Sequence, residues 1–438
     1  MELGSIALYV VGVLVILLGL AVSIALHEIG HLVPAKRFGV LVTQYMIGFG
    51  PTIFSRRRGE TEYGLKALPL GGYIAMAGMY PPAKDSDRMR DSTTSLFDTA
   101  IQEAPVEEDE SRAFYRLPVY KRVIIMLGGP FMNLVLAIVL YAVALCAIGV
   151  PQLSTTIASV SECVVPASST QQECEPDDPP SPAAAAGIRP GDRIVSIAGV
   201  PVSTWEETTA LIRERAGDST EVVVERDGAE LVLTATPILT ERVALDADGR
   251  VIVDEDGEPM FIDAGFLGVG SAYVTTPQPL TAVLPAVGDN IVRVVEIIVT
   301  LPVKVWEVGV SLFQPEVERD PNGPLSVVGV GRLAGEISSL EQEPFVNKVA
   351  TLFGVLASLN VALFLFNLIP LLPLDGGHVA GALWEGLRRW FARLRGRPDP
   401  GPFDISRLAP LVNVAVVLLG LMTLVLVVAD IIKPISLF

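Results

Sequence analysis

Charged side chains are scarce in this chain. Only 18% of its 438 residues are Asp, Glu, Lys or Arg, half are hydrophobic, and the mean hydropathy is +0.50. That balance excludes a purely aqueous globular fold. Basic residues are the scarcer sign, 32 against 49 acidic for a net charge of −17, which speaks against a nucleic-acid partner held by a basic surface. The deficit is local. Residues 151–344 carry 31 Asp/Glu and 11 Lys/Arg, and the rest of the chain 18 and 21, so an acidic soluble insert interrupts an apolar, slightly basic frame. Cysteine and histidine number three each. Cys146 falls in an apolar run and reads as a small core residue. Cys163 and Cys174 fall in the insert, where a disulfide and two free thiols both remain open.

Four charge-free runs are long enough to cross a hydrocarbon core about 30 Å thick: residues 4–26, 123–150, 349–374 and 408–429. The first lacks the basic segment of a secretion signal, since Met1-Glu2-Leu3 precedes it, and reads as a retained span. Arg388, Arg389, Arg393, Arg395, Arg397 and Arg407 lie between the third and fourth runs, and Lys36, Arg37, Arg112, Arg116, Lys121 and Arg122 flank the first connection. Both loops are expected to be cytoplasmic, which puts the acidic insert and both termini outside.

Between the first two runs, residues 40–45, 61–68 and 71–76 are strand-like and broken by glycine. They predict β-hairpins that pack on the spans, because non-helical backbone near lipid needs internal partners. Residues 81–117 open with a polar stretch and predict a mobile cytoplasmic loop. The insert begins with a Ser/Glu/Pro-rich linker. An alanine helix stopped by Gly187 follows, then a turn at Pro190-Gly191-Asp192, a strand to Ala198-Gly199, a helix at 205–215, and strands at 220–226 and 230–236. Acidic turns at 246–249 and 254–257 lack EF-hand spacing and read as hairpin turns between further strands, not calcium sites. Residues 280–313 predict an amphipathic segment on the membrane or over the spans.

All three histidines stand at span ends. His27-Glu28-Ile29-Gly30-His31 is an H-E-x-x-H motif, whose i, i+4 spacing on a helix brings both imidazoles to one face within reach of a single metal ion. Beside hydrocarbon these polar groups require partners or a function, the alternative being an interfacial ion-pair cluster. Asp375 is the candidate third ligand, because it is the acidic group beside the third run, where Pro370 and Pro373 break the helix. Zn²⁺ on His27, His31 and Asp375 keeps one position for water and lowers that water's pKa to about 7, so that Glu28 can act as the base of a hydrolysis. For His378 a supporting or interfacial role is the expectation, and for Asn133 a hydrogen bond between helices.

H-E-I-G-H, P-L-G-G-Y at Pro69 to Tyr73, G-G-P-F-M-N at Gly128 to Asn133 and N-L-I-P-L-L-P-L-D-G-G-H ending at His378 together resemble the site-2 protease family, the zinc intramembrane metalloproteases, over nearly the full length. The order of elements in 181–238 resembles a bacterial PDZ domain and points to a branch similar to the regulator-of-sigma-E protease, with one such domain. The resemblance implies a polytopic α-helical membrane protein with four transmembrane helices, membrane-associated β-hairpins and an inserted external PDZ (α+β) domain. Its division would be 1–33, 34–80, 81–117, 118–150, 151–238, 239–346, 347–378, 379–407 and 408–432. It implies zinc on His27, His31 and Asp375, Glu28 as the catalytic group, and Asn367 holding the substrate backbone or oxyanion. Gly71, Gly72, Tyr73, Ile74 and Ala75 are expected to pair with the unwound substrate. Expected partners are the bilayer, single-span membrane proteins already shortened by a site-1 type protease, and peptide termini on the PDZ domain, with no nucleic acid. The expected location is a bacterial inner membrane, with the active site toward the cytoplasm. A zinc transporter and a non-catalytic PDZ scaffold are the rival readings, and the sequence has no visible inverted repeat to support the former.

Overall fold

The computed structural model describes residues 3–81, 89–93, 102–104, 110–165, 174–175, 178–244, 251–253, 259–314, 319–320, 323–340, 343–403 and 409–435. The first apolar run forms α1 (Leu3–Arg37). It extends well past the run because Lys36 and Arg37 suit the negative end of the helix dipole. β1 (Val42–Arg58) and β2 (Thr61–Tyr80) follow as a hairpin in which β2 wraps both edges of β1. Gln44 pairs with Glu62 on one side and Ala75 on the other, Tyr45 with Tyr63 and Ile74, and Met46 with Gly64 and Tyr73. β3 (Met89–Thr93) continues the sheet beside Ala75 and Met76, and β4 (Gln102–Ala104) pairs with β3. The base of this sheet buries Val42, Tyr45, Ile74 and Met76 against Leu32, Ala35, Ile125 and Met126 of the helices, while Ile53 and Phe54 at the far end are exposed.

The expectation of a mobile loop over 81–117 needs correction where the chain is described. β3 and β4 occupy part of it, and strand addition needs backbone donors and acceptors more than apolar side chains. Residues 110–116 form two 3₁₀ turns, fastened by a bidentate pair of Arg112 with Glu60 at 2.6 and 2.7 Å and by buried Phe114. The other residues of that expectation, 82–88, 94–101 and 105–109, lie outside the described residues. α2 (Val119–Ala142) then forms from the second run and ends in a π-helical turn, Val143–Ile148.

Residues Val150–Thr276 form a compact unit of their own. It contains β5 (Val150–Val160), α3 (Pro182–Ala186), β6 (Arg193–Ile197), β7 (Val200–Pro201), α4 (Trp205–Arg213), β8 (Thr220–Arg226), β9 (Ala229–Ala235), β10 (Ile238–Val243), β11 (Phe261–Phe266) and β12 (Val269–Thr276). The main sheet runs β12-β5-β6-β8-β9 with β7 on β6, and β10 pairs with β11. Local signals start and stop the helices. Ser181 caps α3, Gly187 at φ +77° ends it, and Thr204 with Glu207 forms a capping box on α4. Ile157, Ile188, Ile194, Ile197, Ile212, Val222, Val224 and Leu267 make the core.

This unit is larger than the 151–238 division anticipated. Residues 150–160 are not a linker but β5, with Thr155 and Ile157 alternating inward among Ser and Thr, and β12 closes the sheet beside it. Period-2 burial here is carried partly by threonine, which a hydrophobic count overlooks. Cys163 and Cys174 form a disulfide. The acidic turns at 246–249 and 254–257 fall outside the described residues, apart from their flanks.

The chain returns with α5 (Val283–Phe313), whose Val294 packs against Ala137 and whose Val308 packs against residues of the last helix. α6 (Val327–Ser339) is capped by Ser326 and lays Ala334 and Ile337 on Ile16 of α1. α7 (Phe345–Leu368), α8 (Asp375–Leu394) and α9 (Ala409–Ile432) complete the other compact unit, which comprises Met1–Gly149 and Pro277–Phe438. α1, α2, α7 and α9 are the four helices long and apolar enough to cross a membrane among the described residues. Leu14, Leu18, Val139 and Leu418 face outward from them, as lipid permits. Asn360 of α7 donates to Ser23 of α1 at 2.9 Å, a polar contact between buried helix faces. Two further expectations change here. The third span ends at Leu368, not at 374 or 378, and residues 379–394, expected in a basic loop, are helical. Counting arginines concealed the three- and four-residue spacing of Ala380, Leu383, Leu387, Trp390 and Leu394.

Candidate metal centre

Helical spacing and chain reversal bring three side chains able to ligate a metal to one point. His27 and His31 lie one turn apart on α1 and are both buried. The six residues after α7 turn the chain so that α8 opens with Asp375 facing them. Asp375 Oδ2 stands 3.3 Å from His27 Nε2 and 3.3 Å from His31 Nε2, and the two Nε2 atoms are 3.2 Å apart. A tetrahedral zinc with ligands about 2.0–2.1 Å away has ligand atoms about 3.3 Å from one another. The three edges therefore match one face of such a tetrahedron. Among the described residues Asp375 Oδ2 is buried without a hydrogen-bond partner, a costly state that a cation among the three atoms relieves. No other group of three His, Cys, Asp or Glu residues able to hold a metal occurs among the described residues.

The ring nitrogen of His31 opposite the centre is held as a metal site requires. His31 Nδ1 lies 2.8 Å from the Ile125 carbonyl, to which only an N–H can donate, so the Nε2 lone pair faces the centre. His27 Nδ1 lies 3.1 Å from the Asn133 amide of α2. The hydrogen bond between helices expected of Asn133 thus ends on the ring of a candidate ligand.

α2 approaches closely because glycine lines it. A Cβ on Gly128 would strike the Gly30 carbonyl and one on Gly30 the Gly128 carbonyl, while a Cβ on Gly129 would overlap Nε2 of both histidines. Gly376, beside Asp375, similarly leaves no room between itself and the carbonyls of Leu368 and Ile369. A buried bidentate pair fastens α8 to α2, Arg122 to Glu385 at 2.6 and 3.1 Å, and Glu385 also accepts from the Phe403 amide at 3.0 Å. Sequence reading did not single out Gly129, the Ile125 carbonyl or Glu385 for the site. The G-G-P motif was the one available signal.

The other anticipated residues surround the centre unequally. Glu28 is buried on α1, and β2 passes beside it, since a Cβ on Gly72 would lie 3.0 Å from Glu28 Cγ. Burial and the nearby Glu28 carboxylate push the Tyr45 phenol up to about 12, so it stays protonated and donates to the Ala25 carbonyl at 2.9 Å. Gly71, Gly72, Tyr73, Ile74 and Ala75 all belong to β2, but Ala75 is already paired with Thr93 of β3. Asn367 is on the last turn of α7 and donates to the Leu363 carbonyl at 3.0 Å, which uses one of its two N–H groups. His378 is buried one turn into α8.

Comparison with known proteins gives the family. The profile of Peptidase family M50 matches residues 15–397. The chain is 36% identical to zinc metalloprotease Rip1 of Mycobacterium tuberculosis, covering 98% of this chain and all of that protein. It is 34% identical to Rip1 of Mycolicibacterium smegmatis, over 98% and 99%, and 30% identical to metalloprotease MmpA of Caulobacter vibrioides, over 84% and 85%. The protein is therefore a multi-pass membrane protein and a zinc intramembrane metalloprotease, and it belongs to the M50, or site-2 protease, family.

Proposed function

We propose that His27, His31 and Asp375 hold the zinc, that Glu28 is the general base, and that the bond cut lies within a transmembrane segment of a single-span protein. The carrying observation is the triangle of ligand atoms with edges of 3.2, 3.3 and 3.3 Å beside a buried glutamate. Zinc bound there supplies Lewis acidity that makes water nucleophilic near neutral pH. Glu28 takes up a proton from that water and delivers it to the nitrogen of the departing amine, which keeps the proton within the site. The second N–H of Asn367 is a donor for the substrate carbonyl or the developing oxyanion.

A helical substrate must unwind before its carbonyl can be attacked, and its freed backbone groups then need partners. The edge of β2 at residues 71–75 supplies them by strand addition. Ala75, already paired with β3, is the end at which incoming substrate competes with the chain's own strand. The order of elements from α3 to β9 supports a PDZ reading of the Val150–Thr276 unit, in which a peptide terminus adds to its sheet. The basic residues beside the spans support an inner-membrane enzyme with the metal centre toward the cytoplasm and this unit and both termini outside. In that arrangement the unit admits proteins already shortened by a site-1 type protease, such as an anti-sigma factor or a remnant signal peptide.

Glu28→Gln is the test. It should retain zinc and lose cleavage of a single-span reporter by roughly 10²–10⁴-fold, whereas His31→Ala should lose both. Parental turnover in Glu28→Gln would overturn the assignment, and proteins trapped on that variant would identify the substrate.

A further inference from the structure

α8 has two unlike faces. His378, Gly381, Ala382 and Glu385 are buried inward. Opposite them, Leu383, Leu387, Trp390 and Leu394 are 43–63% exposed and fall within about 60° of helical arc, with Trp384 and Phe391 alongside. Arginines border this stripe, with Arg388 and Arg395 on one side and Arg389 and Arg393 on the other. A groove of about 390 Å³ runs along the first border, lined by Trp384, Leu387, Phe391, Arg388, Arg395 and Arg397. Its cations are positioned by their neighbours. Arg388 donates to the Pro400 carbonyl at 3.2 Å and stands 5.6 Å from the centre of the Phe403 ring, and Arg395 stands 6.0 Å from that of Phe391. Arg389 is paired with Glu385 and Asp399, but among the described residues no carboxylate pairs with Arg388, Arg393, Arg395 or Arg397.

We propose that this face of α8 is a binding site for the headgroup of an anionic phospholipid in the surrounding bilayer. An exposed apolar stripe bordered by guanidinium groups is the surface of a helix lying in a membrane interface. Its apolar stripe takes acyl and glycerol carbon while the bordering guanidinium groups take the phosphate, the arrangement of an interfacial helix. Free phosphate satisfies only the cations and leaves two tryptophans, a phenylalanine and three leucines in water. Asp375 opens the same helix, so a bound lipid restrains the far end of the element that carries it.

The test uses the full-length, zinc-loaded protein in detergent, titrated by native mass spectrometry with phosphatidylglycerol, with phosphatidylcholine of the same acyl chains, and with inorganic phosphate. Phosphatidylglycerol should be held at least about tenfold more tightly than phosphatidylcholine, and phosphate should not displace it. Each arginine should be worth about fivefold. Arg388→Ala/Arg395→Ala/Arg397→Ala should therefore weaken phosphatidylglycerol by a factor on the order of 100 with zinc content unchanged, while the triple lysine variant keeps most of the affinity. If the alanine variant loses zinc through misfolding, Arg395→Ala alone and the lysine variant decide. Equal retention of the two lipids, displacement by phosphate, or undiminished binding in the alanine variants would overturn the proposal.

Discussion

Asn133 offers a sharp test of whether the three ligands act as a metal site. Its side chain is fully buried, its Nδ2 lies 3.1 Å from His27 Nδ1, and its Oδ1 has no hydrogen-bond partner among the described residues. If Nδ2 donates to His27 Nδ1, the ring proton moves to Nε2 and points at His31 and Asp375, where a metal cannot then bind. A half-turn of the amide gives Oδ1 the Nδ1–H instead, satisfies the orphaned oxygen and frees the Nε2 lone pair. Zinc binding thus selects the second orientation. Removing such a partner weakens a metal by about 10–100-fold, or roughly 1.4–2.7 kcal/mol. Asn133→Ala should show that loss in competition with a chromophoric chelator. Asn133→Asp keeps an acceptor and should bind zinc more tightly than Asn133→Ala. Zinc affinity of Asn133→Ala within about twofold of the parent, or Asn133→Asp as the weakest of the three, would refute the reasoning.

The remaining predictions concern packing, ion pairs and pH. Gly129→Ala sets a methyl group on both Nε2 atoms, so α2 must withdraw. The overpacking cost of about 1–3 kcal/mol should appear as zinc affinity about 5–150-fold weaker, with helical content by circular dichroism unchanged. Arg122→Met removes the bidentate partner of buried Glu385, which keeps Arg389 and the Phe403 amide, and should lower stability in detergent by about 1.5–3 kcal/mol, much of it recovered in Arg122→Met/Glu385→Leu; an unchanged melting curve for the single variant would refute this. In the Val150–Thr276 unit, the Arg226 guanidinium beside Asp192 holds its carboxyl below the usual 3.8, through bonds of 2.7 and 2.8 Å. The stabilisation is therefore complete above the unfolded value and disappears as pH falls through the lower folded one. Asp192→Asn should speed hydrogen exchange in β6 and β8 at neutral pH by an amount equivalent to about 1.5–3 kcal/mol, and parent and variant should converge in strong acid.

What could be read from the sequence follows from how rare each signal is. Three histidines in 438 residues, two of them four apart after an apolar run, single out the two rings that the structure brings beside Asp375. Asp375 is legible for a similar reason, as the acidic group beside the third run. Its element is not legible. It opens α8 and does not end the third span, because the turn at Pro370 and Pro373 is complete before it. Thr155 and Ile157 of β5 were hidden by serine and threonine neighbours, and the helical period of α8 by its arginines.

The parts of the centre that stayed hidden share a physical cause. The Ile125 carbonyl that orients His31 is backbone, and Gly129 acts through a Cβ it lacks, so neither contribution follows from residue type alone. Arg122 and Glu385 are 263 residues apart and appear in the sequence as opposite entries in a charge count. In the structure they neutralise each other, and Arg112 and Arg389 are likewise paired with carboxylates. Paired in this way, these three guanidinium groups are less available to an anionic headgroup than the sequence suggests. Between α7 and α9 the described arginines without a carboxylate partner are Arg388, Arg393, Arg395 and Arg397, which line the apolar stripe of α8 or its groove. Together with Lys36, Arg37 and the other basic residues beside the spans, these four are expected to contribute to orientation, as well as to lipid contact. Neutralising them should weaken the preference for the expected topology together with anionic-lipid binding, whereas neutralising Arg122 and Glu385 together should affect neither.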